Sequence, residues 1–305
     1  MNHNSYPKKA IIEIGSNSIK FCVAQILDEN NYLIIHDTAY MTRIGENLSQ
    51  TGLISKDAMK RNEQTIEMLC LKARQWGVKS IIAVGTMALR KAKNSDHFIQ
   101  NIQKKCNIDI HILSGDDEAR LAYRAATNTI NQNDDSTVVF DSGGGSTEFI
   151  FGLRNQITQK ISIDIGAVHI TEQFFLDDPI KKKQLLMAQN YIANTFQEKH
   201  VMGTVDQLIG LGGAVTTMSA VKQKMFQYES AFINGSTLSR KDVQKQIKMY
   251  TSKTLEQRKS ICGLQSGRED IILAGACIID GIMHQLVCNQ VIVCDRGLRH
   301  GLIVE

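Results

Sequence analysis

The feature that most constrains this chain is that it opens twice. Residues 10–14, 19–27 and 32–40 are three apolar runs separated by short loops, and residues 137–140, 147–153 and 156–163 repeat that arrangement. Strand-like runs joined by short loops pair antiparallel. After each trio the pattern changes to alternating helices and strands. In the first half these are a helix over 56–76, a strand over 79–84, a helix over 96–105, a strand over 109–113 and a helix over 115–130. In the second they are helices over 167–175 and 180–199, a strand over 207–211, a helix after Gly212-Gly213, helices over 239–250 and 268–286, and a strand over 290–294. Such self-similarity is the mark of a duplicated supersecondary unit. The expected fold is α/β, with two similar domains, 1–130 and 131–305, and the last residues packing back on the first. The polar segment 131–135 is the expected linker.

The repeat extends to single residues. Glu13-Ile14-Gly15-Ser16-Asn17-Ser18 in the first half matches Asp141-Ser142-Gly143-Gly144-Gly145-Ser146 in the second. Each has a carboxylate at the end of an apolar strand, a Gly two residues on and a Ser five residues on. Glycine lets an anion approach the backbone, and a tight Gly/Ser loop can turn several N–H groups toward one point. One such loop is an ordinary hairpin turn. Three central glycines between two good strands, however, cost stability, and a ligand held close to the backbone explains them better. The candidate phosphate-binding residues are therefore Gly15, Ser16, Asn17 and Ser18 in one loop and Gly143, Gly144, Gly145, Ser146 and Thr147 in the other. Two such loops facing each other across a cleft would cradle consecutive phosphates. Asp141 and Glu148 flank the second loop and suit magnesium, a hard ion that takes oxygen ligands. Glu13 is the matching but doubtful position in the first half.

Three further segments bear on chemistry. Gly210-Leu211-Gly212-Gly213 ends a strand and opens a helix, which makes Gly212 and Gly213 a third candidate anion contact or simply a strand–helix junction. Ser114-Gly115-Asp116-Asp117-Glu118 has the composition of an ordinary helix N-terminus, yet a carboxylate there could deprotonate a water. Arg90 could clamp a phosphate with its planar fork or lie on a helix surface. Asp164-Ile165-Gly166 imitates the first loop, but the residues after it read as helix, so it is not expected to be a ligand loop. The chain contains no G-x-x-x-x-G-K-[ST], no H-E-x-x-H and no G-x-S-x-G.

Composition narrows the class. The chain has 305 residues, 43% of them hydrophobic and 22% charged, which is enough to build two cores. Seven Cys form no C-x-x-C pair, so a reduced, cytoplasmic protein without a zinc site is expected. The first apolar run is broken by Glu13 and reads as a strand rather than a signal peptide. No run approaches a membrane helix. The formal net charge is +4, and residues 222–259 hold nine basic side chains against three acidic ones. That run is either a solvated face or a track for a polyanion.

Taken in order, Gly15 to Ser18, Arg43-Ile44-Gly45-Glu46, Ala88-Leu89-Arg90, Ser114 to Arg120, Asp141 to Glu148, Gly166-Ala167-Val168, Gly210 to Gly213 and Asp295 to Gly301 resemble the exopolyphosphatase and guanosine pentaphosphate phosphohydrolase family. The resemblance covers nearly the whole chain. It implies the actin, sugar kinase and Hsp70 superfamily fold, with two ribonuclease H-like domains closing over phosphates. It also implies that Glu118 is the base for the attacking water, that Arg90 and the loops bind substrate phosphates, and that Asp141 and Glu148 lie near Mg2+. The implied reaction is hydrolysis of the terminal phosphate of inorganic polyphosphate. The alternatives are hydrolysis of pppGpp, or a sensor that binds a phosphate chain without turnover; an ATP-using kinase or chaperone is a more distant one. The expected partner is a phosphate chain, not a nucleic acid or a membrane, and a homodimer is left open. Two departures stand out. The family usually has Asp where this chain has Glu13, and its longer members carry a helical C-terminal domain beyond the length of this chain.

Overall fold

The computed structural model describes residues 6–28, 32–127, 136–153 and 156–304, so the linker expected at 131–135 lies outside the described residues. The chain divides into two compact units, Met1–Leu121 with Leu298–Glu305, and Ala122–Gly297. The sequence reading put the boundary at 130. The observed division falls earlier, inside the helix Gly115–Thr127, and the side chains explain it. Leu121 packs with Leu298, Leu302 and Ile303, and Gly301 lies so close to the Leu121 carbonyl that no side chain fits between them. Tyr123, two residues on, lies instead against Gly152 of the second unit.

The first unit is built on strands β1 (Lys8–Ile14), β2 (Ser18–Ile26), β3 (Tyr32–Met41), β4 (Ser80–Gly85) and β5 (Ile110–Ile112), in the order β3-β2-β1-β4-β5. The pairs β1/β2 and β2/β3 are antiparallel; β1/β4 and β4/β5 are parallel. β1 is apolar on both sides because both faces of the sheet are covered. Ile12 and Ile14 pack with Phe21, Ile66 and Phe98 on one face, while Ile11 packs with Cys22, Val84 and Leu121 on the other. β3, at the edge, alternates between half-buried and exposed positions.

The second unit contains β6 (Ser136–Ser142), β7 (Thr147–Leu153), β8 (Gln156–Ile163), β9 (Gln207–Leu211), β10 (Thr237–Ser239) and β11 (Gln290–Val293), in the order β10-β11-β9-β6-β7-β8. Read from β8, the order β8-β7-β6-β9-β11 repeats β3-β2-β1-β4-β5 strand for strand. The directions match too, with antiparallel pairing in the opening trio and parallel pairing after it. β10 is an added edge strand, antiparallel to β11. The chain therefore has the duplicated α/β fold expected from its two openings, and it is the actin-like fold that the family resemblance implies.

The C-terminal segment is fastened to the first unit by Asp37 on β3. Its Oδ1 accepts from Arg299 Nε at 2.7 Å and its Oδ2 from Arg299 Nη2 at 2.9 Å, with His300 Nε2 3.0 Å from Oδ2. Burial raises the Asp37 carboxyl's proton affinity, but Arg299 and His300 outweigh it and hold its pKa well below the carboxylate range. Cys22, Asp37 and His300 are the one group of His, Cys and carboxylate donors among the described residues close enough to surround an ion. Both Asp37 oxygens are already taken by the latch. Among the described residues no helix is long and apolar enough to cross a membrane, and all seven cysteines are free thiols.

Candidate active site

In a sheet whose parallel strands run side by side, ligands collect beyond the carboxyl ends of the strands. In each unit the candidate residues lie there. Beyond β1 is the loop Gly15–Ser18, beyond β4 the turn carrying Arg90, and beyond β5 the helix carrying Glu118. Beyond β6 is the loop Gly143–Ser146, beyond β9 Gly212-Gly213, and beyond β11 the segment Asp295-Arg296-Gly297.

The two loops close with the same hydrogen bond. Gly15 N–H donates to Ser18 O at 3.0 Å, and Gly143 N–H donates to Ser146 O at 2.9 Å. In the second loop that bond uses one amide, and among the described residues the N–H groups of Gly144, Gly145 and Ser146 have no hydrogen-bonded acceptor. The first loop is braced from outside: Thr42 N–H and Arg43 N–H both donate to Asn17 O, and Gly45 N–H donates to Ser16 O. Arg43 is held at φ 50 in doing so, an unusual conformation for a bulky residue. This is what the Arg43 to Glu46 motif does locally.

The second loop is braced by the segment set aside as an imitation. Ala167 N–H donates to Gly143 O at 3.0 Å and Val168 N–H to Gly144 O at 2.8 Å. The N-terminus of the helix Ala167–Phe174 is thus spent on the loop's carbonyls. Gly166 touches the backbone of Gly144 and Gly145 with no room for a side chain. Thr147, expected to contact phosphate, is 0% exposed and its Oγ1 donates to Ile165 O at 2.6 Å. It belongs to the brace, because it is the first inward-facing residue of β7.

The carboxylates separate by register. Asp141 stands opposite Glu148 across β6/β7, two carboxylates on a directly facing pair. Glu148 accepts from Ser162 Oγ at 3.1 Å. Gly212, at φ 95, passes close to Asp141, where an added Cβ would stand 2.7 Å from Oδ1. Gly297 lies on the Oδ2 side, where the corresponding distance is 3.9 Å. The equivalent pair in the first unit is Glu13 opposite Lys20. Lys20 Nζ is 2.5 Å from Glu13 Oε1, which bears against the doubtful metal position at Glu13. Its facing residue is an ammonium, not a second carboxylate.

Of the three adjacent acids at 116–118, the structure singles out one. Asp117 is used in capping: its N–H donates to Ser114 Oγ at 3.0 Å, and Ser114 Oγ donates to its Oδ2 at 2.7 Å. Asp116 is exposed. Glu118 is buried, and its Oε1 accepts from Arg90 Nη1 at 2.5 Å. Arg90 is placed by a short turn in which Thr86 N–H donates to Ile14 O, at the root of the first loop.

Arg268 was not found by sequence reasoning. Its guanidinium lies against Gly213, in the space a side chain there would fill. Its Nε donates to Gln265 Oε1 at 2.9 Å, and among the described residues it has no carboxylate partner. Burial brings its pKa down to about 10, with Tyr228 opposing. A desolvated guanidinium at a glycine turn suits an anion. Nothing local in Ser266-Gly267-Arg268-Glu269-Asp270 announces it, since Gly213 is far away in the chain. The basic run 222–259 is less of a track than its composition suggests. Lys222 pairs with Asp242, Arg240 with Asp280 and Lys259 with Glu256, and Arg258 is 1% exposed.

Duplicated 3-2-1-4-5 sheets with glycine–hydroxyl loops at their carboxyl ends define an actin-like α/β protein. The chain belongs to the Ppx/GppA phosphatase family, whose profile matches residues 22–305. It is 26% identical to exopolyphosphatase 2 of Mycobacterium tuberculosis, over 97% of both chains. It is also 28% identical, over 97% of its own length, to a Fusobacterium nucleatum bifunctional 3-dehydroquinate synthase/phosphatase, of which it spans about half, 46%. The crystal structure of an Aquifex aeolicus member of the Ppx/GppA family superposes with a TM-score of 0.82 at 28% identity, over 98% of this chain and 96% of that one.

Proposed function

We propose that the chain is an exopolyphosphatase that releases terminal phosphate from inorganic polyphosphate by attack of water. The observation that carries this reading is the repeated loop, whose second copy, among the described residues, leaves unbonded amides beside the facing carboxylates Asp141 and Glu148. Gly15–Ser18, Gly143–Ser146, Gly212-Gly213, Arg90 and Arg268 hold phosphate oxygens. Glu118 takes the proton of the attacking water, which requires hydrogen-bond reach to it. Magnesium fits Asp141 and Glu148 because both are hard oxygen donors and the space beside Asp141 is kept open by two glycines. When bound it neutralises charge on the phosphoryl oxygens. Thr147 and Gly166 set the loop's shape.

A specific observation favours testing pppGpp as the second reading. Tyr228, a ring absent from the sequence-based site, donates to Asp295 Oδ1 at 2.7 Å and is an electrostatic neighbour of Arg268. The experiment measures kcat/KM on polyphosphates of graded length and on pppGpp, with magnesium and with excess chelator, at two salt concentrations. Magnesium-dependent release with a preference for polyphosphate is expected, falling with salt as neutralised phosphates release counterions. Undiminished turnover in chelator removes the metal assignment. A clear preference for pppGpp replaces the substrate.

A further inference from the structure

The ion pair between Arg90 and Glu118 sets a problem for a residue expected to clamp phosphate. Arg90 Nη1 donates at 2.5 Å both to Glu118 Oε1 and to Leu113 O. Its backbone N–H donates to Thr86 O, and the Thr86 turn is tied to Ile14 O at the root of the first loop. The side chain is therefore fixed at one nitrogen. Among the described residues, Nε and Nη2 have no hydrogen-bonded acceptor, and the side chain is 26% exposed. The planar fork is divided, with one nitrogen committed to protein oxygens and one edge left for an anion.

We infer that Arg90 is a positioning residue for Glu118 as well as a phosphate ligand, holding the base one water away from the phosphorus that its own free edge binds. The inference rests on the reading of Glu118 as the base. A phosphate bound in bidentate fashion to the Nε/Nη2 edge shares a rigid guanidinium with Glu118 Oε1. A near-attack water lies about 3–3.5 Å from phosphorus, and a base must lie within about 2.6–3.2 Å of that water. Carboxylate oxygen and phosphorus can then be at most about 6.7 Å apart; a guanidinium with an oxygen hydrogen-bonded on each side spaces those two oxygens by about 6 Å and so brings the phosphorus close to that limit. A lysine cannot do this. Its ammonium can meet the phosphate or the carboxylate, but it has no fixed fork to hold both at a set separation. In the step itself, the water's oxygen bonds to phosphorus as the bridging P–O bond breaks. Glu118 takes one water proton and the shortened phosphate chain leaves with the bond's electrons.

The test separates binding from turnover with polyphosphate as substrate. Arg90→Lys should lower kcat about 10²-fold, a loss in the range typical of a displaced general base, while KM changes less than tenfold. Arg90→Ala should lower kcat at least as far, and free guanidinium in the assay should restore kcat about tenfold or more, which a misfolded protein would not show. The double variant Arg90→Ala/Glu118→Gln should be no slower than Glu118→Gln alone, because two residues acting through one step are not additive. A rise in KM with kcat held within threefold in both Arg90 variants overturns the positioning role and leaves Arg90 a simple phosphate ligand. So does full additivity in the double variant. If Glu118→Gln itself retains wild-type kcat, the base assignment fails, and the inference falls with it for that separate reason.

Discussion

Gly166 offers a sharp test, because by sequence it looks incidental and by structure it is part of the second loop's foundation. In Gly166→Ala the new Cβ would stand more than half an ångström inside the 3.0 Å that real Cβ atoms essentially never cross, against Gly144 C, Gly144 O and Gly145 N. All three are backbone atoms, so no side chain can swing away. Reaching an ordinary 3.4 Å contact requires a displacement of about 1 Å between the helix Ala167–Phe174 and the loop. That movement strains the bonds from Ala167 and Val168 to Gly143 O and Gly144 O. Overpacking of this kind costs about 1–3 kcal/mol, or a melting temperature lower by about 2–12 °C for a domain of this size. The effect on activity should be larger than the effect on stability suggests, because a misplacement of about 1 Å at reacting groups can cost about 10²-fold. Phosphate release, thermal melting and a control, Gly203→Ala, check this together. Gly203 sits at φ 140 with nothing within 4 Å, so its substitution should strain the backbone and leave kcat unchanged. If Gly166→Ala retained wild-type kcat/KM, the loop would not depend on this brace and the argument from close approach would be wrong.

Two other outcomes follow from charge placement. Lys20→Met should destabilise the protein by about 3–5 kcal/mol in denaturant titration, the usual result of stranding one member of a buried pair, since Glu13 is 3% exposed and, among the described residues, its Oε2 has no hydrogen-bond partner; the double variant Lys20→Met/Glu13→Gln should recover most of that, and an undiminished single variant would show that the pair carries no weight. The depressed Asp37 pKa contributes stability that is present above its unfolded value, near pH 4, and is lost as pH falls toward the folded value. Asp37→Asn should therefore lower stability at neutral pH and flatten the acid limb of a stability-versus-pH profile; a parallel profile would assign the acid limb to other carboxylates.

The architecture was legible because it is written in periodicity and repetition. The trio of apolar runs at each opening, and the shift to alternation after them, are properties of short windows. The matching of Gly15 with Gly143 and Ser18 with Ser146 is visible by eye and appears in the structure as the same N–H to carbonyl bond. What stayed hidden was of two kinds. Arg268 reaches the Gly212-Gly213 turn through tertiary packing, with Tyr228 its electrostatic neighbour, and no local pattern ties either to the turn. The placement of Thr147 and Gly166 stayed hidden for a different reason. Composition cannot say whether a hydroxyl beside a glycine loop faces the ligand or the loop's support, and the register of β7 turns Thr147 inward to Ile165 O.

The same register shows how duplication has been put to different uses. Position for position, Glu13/Lys20 and Asp141/Glu148 are equivalent facing pairs at the roots of equivalent loops. In one the second carboxylate is replaced by an ammonium 2.5 Å from the first, so the charge is balanced within the protein. In the other the two negative charges face each other, with Ser162 donating to Glu148. Like charges on a facing pair cost stability by themselves and more so when partly buried, whereas an opposite pair is self-sufficient. The proposed magnesium would ease the repulsion between Asp141 and Glu148, a repulsion that the Glu13/Lys20 pair does not have. If magnesium sits at Asp141 and Glu148 as proposed, Glu13, paired with Lys20, is expected to matter to stability more than to turnover.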